Sequence, residues 1–216
     1  MAESVDYFSN HRLKLRLPWR LYHGPIVDEL RRVVAARGGP DVLNVGSGPF
    51  FELDRLPRDG ARFTVCDIDE RAIALARELH GARLHGADVV TPGSPLPYPD
   101  DRFDLVVSMD VIEHLVDPLP WVRELVRVLR PGGVALLTTP NYGPGSTLAL
   151  IERTVLEAVA RVQGFSRAEI HPTKLDRRSF ARTLEDAGLR EVRVRPIALR
   201  WVLAAEARKP PPKAST

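Results

Sequence analysis

Apolar and polar positions along the chain follow two rhythms that take turns. Residues 19–37 place Ile26, Val27, Leu30, Val33 and Val34 at helical spacing, which predicts an amphipathic helix. Short apolar runs follow at 41–46 (DVLNVG) and 62–67 (RFTVCD), and both read as strands. Asp69 is placed to cap a helix over 70–80, with Ile73, Ala76 and Arg77 along one side. ARLHGAD at 82–88 is a third, weaker strand, and TPGSPLPYPDD at 91–101 is a turn-rich connection. FDLVVSM at 103–109 is the most apolar strand of the chain. Asp117-Pro118 opens a helix that runs through Leu129 and stops at Arg130-Pro-Gly-Gly133. VALLTT at 134–139 is the next strand, 147–162 and 176–187 are helices, and 189–195 and 199–207 are two closing strands.

Strands that alternate with helices and stay apolar throughout call for a mostly parallel sheet covered on both faces. The expected class is α/β, a Rossmann-like seven-stranded sheet with helices on both faces and an antiparallel edge strand. Only Pro196-Ile-Ala198 separates the last two strands, close enough for them to pair antiparallel at that edge. One domain is expected over 1–208. It divides into an N-terminal substrate or lid segment (1–40), a cofactor-binding core (41–139), a lid insertion (140–175), and a C-terminal helix with edge strands (176–208). Three consecutive prolines predict that the tail, 209–216, is disordered.

Composition narrows the class. A chain of 216 residues is ample for one core, and its single cysteine, Cys66, excludes an internal disulfide framework or a cysteine-caged zinc. No run of eighteen apolar residues occurs, and the N-terminus lacks the apolar stretch of a secretory signal. A cytoplasmic protein without a membrane partner is expected. The net charge of +3 hides a change of sign along the chain. Residues 11–37 and 190–213 each carry seven bases against two acids, whereas 52–110 carry twelve acids against seven bases.

Ligands of open parallel sheets sit beyond the carboxyl ends of the strands. The loop after the first strand is Gly46-Ser47-Gly48-Pro49-Phe50-Phe51, where glycine allows a tight turn and close approach of a ligand. Phe51 stands where a dinucleotide fingerprint needs its third glycine, and no Gly-Lys-Ser/Thr ending of a phosphate-cradling loop occurs. An adenosine-like ligand without a pyrophosphate fits better. Asp67 ends the second strand, where a carboxylate accepts ribose hydroxyls. Asp88 ends the third, where it accepts from an exocyclic amine. The bland alternative is that the glycines only make a turn and the aspartates only cap helices.

VLNVGSGPF, VCDIDERAIALAR and the run from DDRFDLVVSMDVIEHLVDP to RVLRPGGVALLTTPN resemble the class I S-adenosylmethionine-dependent methyltransferases, closest to their small-molecule O-methyltransferase branch. The resemblance is dense over residues 41–141 and thinner over 171–195. It implies S-adenosyl-L-methionine as cofactor, bound by Asn44, Gly46, Ser47, Gly48, Asp67, Ile68, Asp88, Val89, Ser108 and Met109. In that arrangement the glycines meet the methionine part, Asp67 the ribose, Asp88 and Val89 the adenine, and Ser108 and Met109 the methyl-donor end. Two positions depart from the family pattern. Asn44 replaces an acidic residue, and Phe50 replaces a third glycine, which is expected to narrow the loop.

Methyl transfer to a hydroxyl needs in-line positioning and removal of one proton. His114, after Asp110-Val-Ile-Glu113, is the first candidate for the base, and His171 is the second. Asp110, Glu113, His114 and His171 together also make a candidate Mg2+ set, although their spacing matches no recognised metal motif. Tyr7, Tyr22, His23 and Tyr142, on segments added to the common sheet, and Glu113 beside His114 are the substrate candidates. The expected partner is a small hydroxylated molecule, a sugar or a phenol- or quinone-type acceptor, with no nucleic acid. An apolar lid helix serves equally as a contact in a homodimer. Methylation of RNA or protein, and a non-catalytic cofactor-binding role, stand as alternatives.

Overall fold

In a computed structural model the described residues are 20–56, 60–148 and 171–212. Seven strands form one sheet: β1 (Asp41–Val45), β2 (Arg62–Asp67), β3 (Leu84–Val89), β4 (Phe103–Met109), β5 (Leu129–Pro140), β6 (Arg190–Ile197) and β7 (Val202–Arg208). Their spatial order is β3-β2-β1-β4-β5-β7-β6, with β3 through β5 parallel. β7 runs antiparallel to both β5 and β6, so the reversed strand lies one place in from the edge and β6 is outermost.

Alternate residues of the central strands are buried on opposite faces, as doubly covered strands require. On one face Val42, Val65, Leu105 and Val107 pack with Leu30, Val33 and Val34 of α1 (Arg20–Ala35) and Ile73 and Ala76 of α2 (Glu70–His80). On the other, Val45, Val106 and Leu137 meet Val122 and Leu125 of α3 (Pro118–Val128) and Phe180 and Leu184 of α4 (Arg177–Asp186). The helix starts read at Asp69 and Asp117 are capped, and a third cap, not read from the sequence, forms at Asp176. Asp69 accepts from Arg71 N–H and Asp117 from Leu119 N–H, while Asp176 and Ser179 form a reciprocal capping box.

The starts of β5 and β7 differ most from the sequence reading. β5 begins at Leu129 rather than 134, because Gly132 N–H donates to Lys209 O (2.9 Å) and Lys209 N–H to Gly133 O (3.0 Å). The same pair fixes Lys209, which the sequence places in the tail. The segment before β7 is not strand from 199, since Ala198, Leu199 and Arg200 all have positive φ and make a left-handed turn. Of the helix read over 147–162, residues 149–162 lie outside the described residues, as do most of the lid insertion, Tyr7, and residues 213–216 of the tail. No helix among the described residues is long and apolar enough to cross a membrane.

Candidate active site

The strand order turns back between β1 and β4, and the candidate residues gather there, at the carboxyl ends. Gly46 N–H and Ser47 N–H both donate to Cys66 O, at 2.8 and 3.2 Å, which folds the glycine loop over the end of β2. Asp67 then braces it. Its Oδ2 accepts from Gly48 N–H (2.7 Å) and its Oδ1 from Asp69 N–H (2.9 Å). Gly46 has a φ of 70°, and a Cβ there would overlap the Val111 side chain. The glycine therefore lets the segment after β4 lie directly against the loop.

Phe50 does not narrow the loop, contrary to expectation. Its ring is buried in the core, tilted against Phe63 at 5.7 Å, and its backbone takes the left-handed conformation that a glycine would adopt freely. Asn44 lies 1% exposed, two residues before Gly46, and neither its Oδ1 nor its Nδ2 has a hydrogen-bond partner among the described residues. Buried polar atoms are normally satisfied, so this amide is suited to a polar ligand or a water.

Asp88 accepts from the Tyr98 hydroxyl at 2.9 Å. Burial, followed by the neighbouring Cys66 and Asp88, pushes the Tyr98 phenol upward and keeps it a donor. Sequence reasoning misses Tyr98, which sits in the turn-rich connection, where a lone aromatic carries no distinguishing signal. Burial also pushes the Cys66 thiol up to about 12, so it behaves as a small core residue. Ile68 and Val89 are exposed apolar side chains at the ends of β2 and β3, beside the two aspartates. Ser108 is buried, and its hydroxyl donates to Val45 O at 2.8 Å. It ties β4 to β1 instead of offering that proton to a ligand. Met109 and Tyr22 each pack against the cluster of Ile26, Ala198 and Val202. The Tyr22 ring meets His23 edge-on at 4.8 Å.

Beyond Val111, a short 3₁₀ turn (Ile112–His114) brings Glu113 and His114 to His171. The two imidazoles meet at 4.9 Å, nearly perpendicular. Glu113 and His171 are buried and His114 is exposed. Thr139 donates to Glu113 Oε2 (3.2 Å), and the Tyr142 hydroxyl lies 2.8 Å from His171 Nδ1. Asp110 stands outside this group and accepts from Thr138 (2.9 Å), so three of the four candidate Mg2+ ligands come together. Two imidazoles and one carboxylate fit Mg2+ poorly, since that ion prefers oxygen donors. Thr138 and Thr139, unremarked in an apolar strand, end β5 where they support both acids.

A family model described as a methyltransferase domain matches residues 43–137. An uncharacterized methyltransferase of Mycolicibacterium paratuberculosis is 30% identical over 187 residues, covering 81% of this chain and 71% of that protein. The chain belongs to the class I S-adenosylmethionine-dependent methyltransferases. A probable S-adenosylmethionine-dependent methyltransferase of Mycolicibacterium smegmatis is 39% identical over 119 residues, which cover 53% of this chain and 45% of that one. The chain spans about 60% of the length of further mycobacterial methyltransferases that it matches. Among solved structures, a SAM-dependent methyltransferase from Aquifex aeolicus shares the fold with a TM-score of 0.66 at 20% identity, over 93% of this chain and 97% of that one.

The cofactor of this methyltransferase family is S-adenosylmethionine, and the residues present fit it. The Asn44 amide, buried two residues before Gly46 and without a hydrogen-bond partner among the described residues, has the donors and acceptors that a polar amino-acid moiety needs. The glycine loop leaves room where a Cβ would intrude. Asp67 and Asp88 present carboxylates at neighbouring strand ends, flanked by the exposed Ile68 and Val89 side chains.

Proposed function

We propose that this methyltransferase domain transfers a methyl group from S-adenosylmethionine to a hydroxyl of a small metabolite, a sugar or a phenol- or quinone-type acceptor. The observation that carries this reading is the histidine pair beside Glu113, joined to the glycine loop through the contact of Val111 with Gly46. Imidazole titrates near neutral pH and so suits removal of a hydroxyl proton. Exposure separates the two histidines. His114 is exposed and meets an incoming acceptor, whereas His171 is buried with its Nδ1 against Tyr142.

His114 takes the acceptor's hydroxyl proton while Glu113 and His171 hold its position. When bound, S-adenosylmethionine supplies an electrophilic methyl on a sulfonium, so that the new C–O bond forms as the C–S bond breaks and its electron pair stays on sulfur. In this reading Tyr22, which packs against the same Ile26, Ala198 and Val202 cluster as Met109 at the end of β4, lines the acceptor side.

A panel of hydroxylated acceptors incubated with labelled S-adenosylmethionine tests the reading, with His114→Ala beside the unaltered protein. The variant is expected to bind S-adenosylhomocysteine normally in calorimetry and to lose turnover by at least about a hundredfold. Near-normal turnover removes His114 from the role. Labelling confined to amine or carbon acceptors overturns the hydroxyl assignment.

A further inference from the structure

The group formed by Glu113, His114 and His171 has the parts of a transition-metal site. One ligand atom from each residue lies within 4.8 Å of the others. A tetrahedral zinc, about 2.0–2.2 Å from nitrogen and oxygen donors, needs those atoms roughly 3.3 Å apart. The trio must therefore draw together to hold a metal, and His114, the exposed one of the three, has the most room to turn. Partners outside the trio orient the two buried ligands, since Thr139 holds Glu113 at Oε2 and Tyr142 holds His171 at Nδ1. Such supporting bonds are what a working metal site requires. His114 also supplies an entry path, because it is the one ligand of the three on the surface. Two imidazoles with one carboxylate favour zinc and its neighbours over magnesium or calcium. Three protein ligands leave a fourth position for water or a substrate oxygen.

We propose that Glu113, His114 and His171 bind a zinc-class divalent cation, and that its occupation switches off proton removal by His114. The second half rests on the hydroxyl-transfer reading. An imidazole nitrogen that gives its lone pair to a metal cannot accept a proton with it, so the bound ion and the base compete for His114. The first half stands on the donor geometry alone.

Calorimetric titration of chelator-treated protein with zinc chloride tests the site, together with the visible spectrum of added cobalt(II), which intensifies on four-coordination. One zinc per chain is expected, undisturbed by a large excess of Mg2+. His114→Ala, an exposed substitution that spares the core, is expected to weaken zinc at least about tenfold. His171→Asn, checked for folding by circular dichroism, is expected to do the same, while His85→Ala on the exposed face of β3 leaves binding unchanged. Failure to bind zinc, or equal binding by the unaltered protein and both trio variants, overturns the site. S-adenosylhomocysteine binding and methyl transfer by the chelated protein are measured on the same sample. Zinc binding without transfer to any hydroxyl acceptor refutes the functional reading and leaves the site standing. Full transfer by the zinc-loaded protein refutes the switch.

Discussion

Phe50 shows how one side chain can hold a glycine's place. Its φ of 53° costs a non-glycine residue roughly 1–2 kcal/mol. Its buried ring contributes more, since truncating a core phenylalanine costs about 3–5 kcal/mol. The ring therefore wins. Phe50→Gly is expected to lower stability by about 2–4 kcal/mol in urea unfolding despite its relaxed backbone. An unchanged or higher midpoint would mean that strain in the loop outweighs packing. Residue identities made much of the cofactor site legible, because Gly46, Gly48, Asp67 and Asp88 sit where strand ends are readable from apolar runs. Burial was not legible. Ser108 has the same hydroxyl whether it meets a ligand or Val45 O, and only the register of β1 with β4 decides which.

At the scale of elements, the four described helices came out of the sequence within about two residues at each end, since their signals are local: a capping aspartate, an apolar stripe, a proline at the first turn. The ends of β5 and β7 did not, because distant segments set them. Arg130-Pro-Gly-Gly133 reads locally as a stop, yet its backbone pairs with Lys209, far along the chain. The turn Ala198–Arg200 likewise holds three consecutive non-glycine residues at φ of 49°, 55° and 70°. Burial of Ala198 and the bonds from Asn141 Nδ2 to Arg200 O and from Asn141 N–H to Trp201 O, each 2.7 Å, hold it there. Leu199 itself is exposed. Leu199→Gly is therefore expected to raise stability by about 1 kcal/mol, some 2–4 °C in the unfolding midpoint, with little change in cofactor affinity. A lower midpoint would mean that the leucine contributes more than its backbone costs.

Across the whole molecule, the described parts of the two basic stretches, α1 and the β6–β7 pair, lie against each other. Glu29 of α1 pairs with Arg195 of β6 and with Arg32, and Glu206 of β7 pairs with Arg32 at 2.6 Å. Those arginines spend their charge on acids of the same fold, and Arg208 lies 3.5 Å from Glu191. On the small-molecule proposal these arginines serve the fold and not a polynucleotide. RNA binding measured by filter retention is expected to be weak and to fall steeply with added salt, without methyl incorporation into RNA. Saturable binding at physiological salt, with labelled RNA as product, would select the polymer reading instead. The sequence by itself determined the alternation of strands and helices, the caps, the glycine loop and the acidic strand ends, because each depends on neighbours a few residues away. Tertiary structure alone decided the place of β7 between β5 and β6, the burial of Phe50 and Ser108, and the meeting of Glu113, His114 and His171. Those outcomes depend on which distant segments pair and which faces close, and no local pattern of residues carries that information.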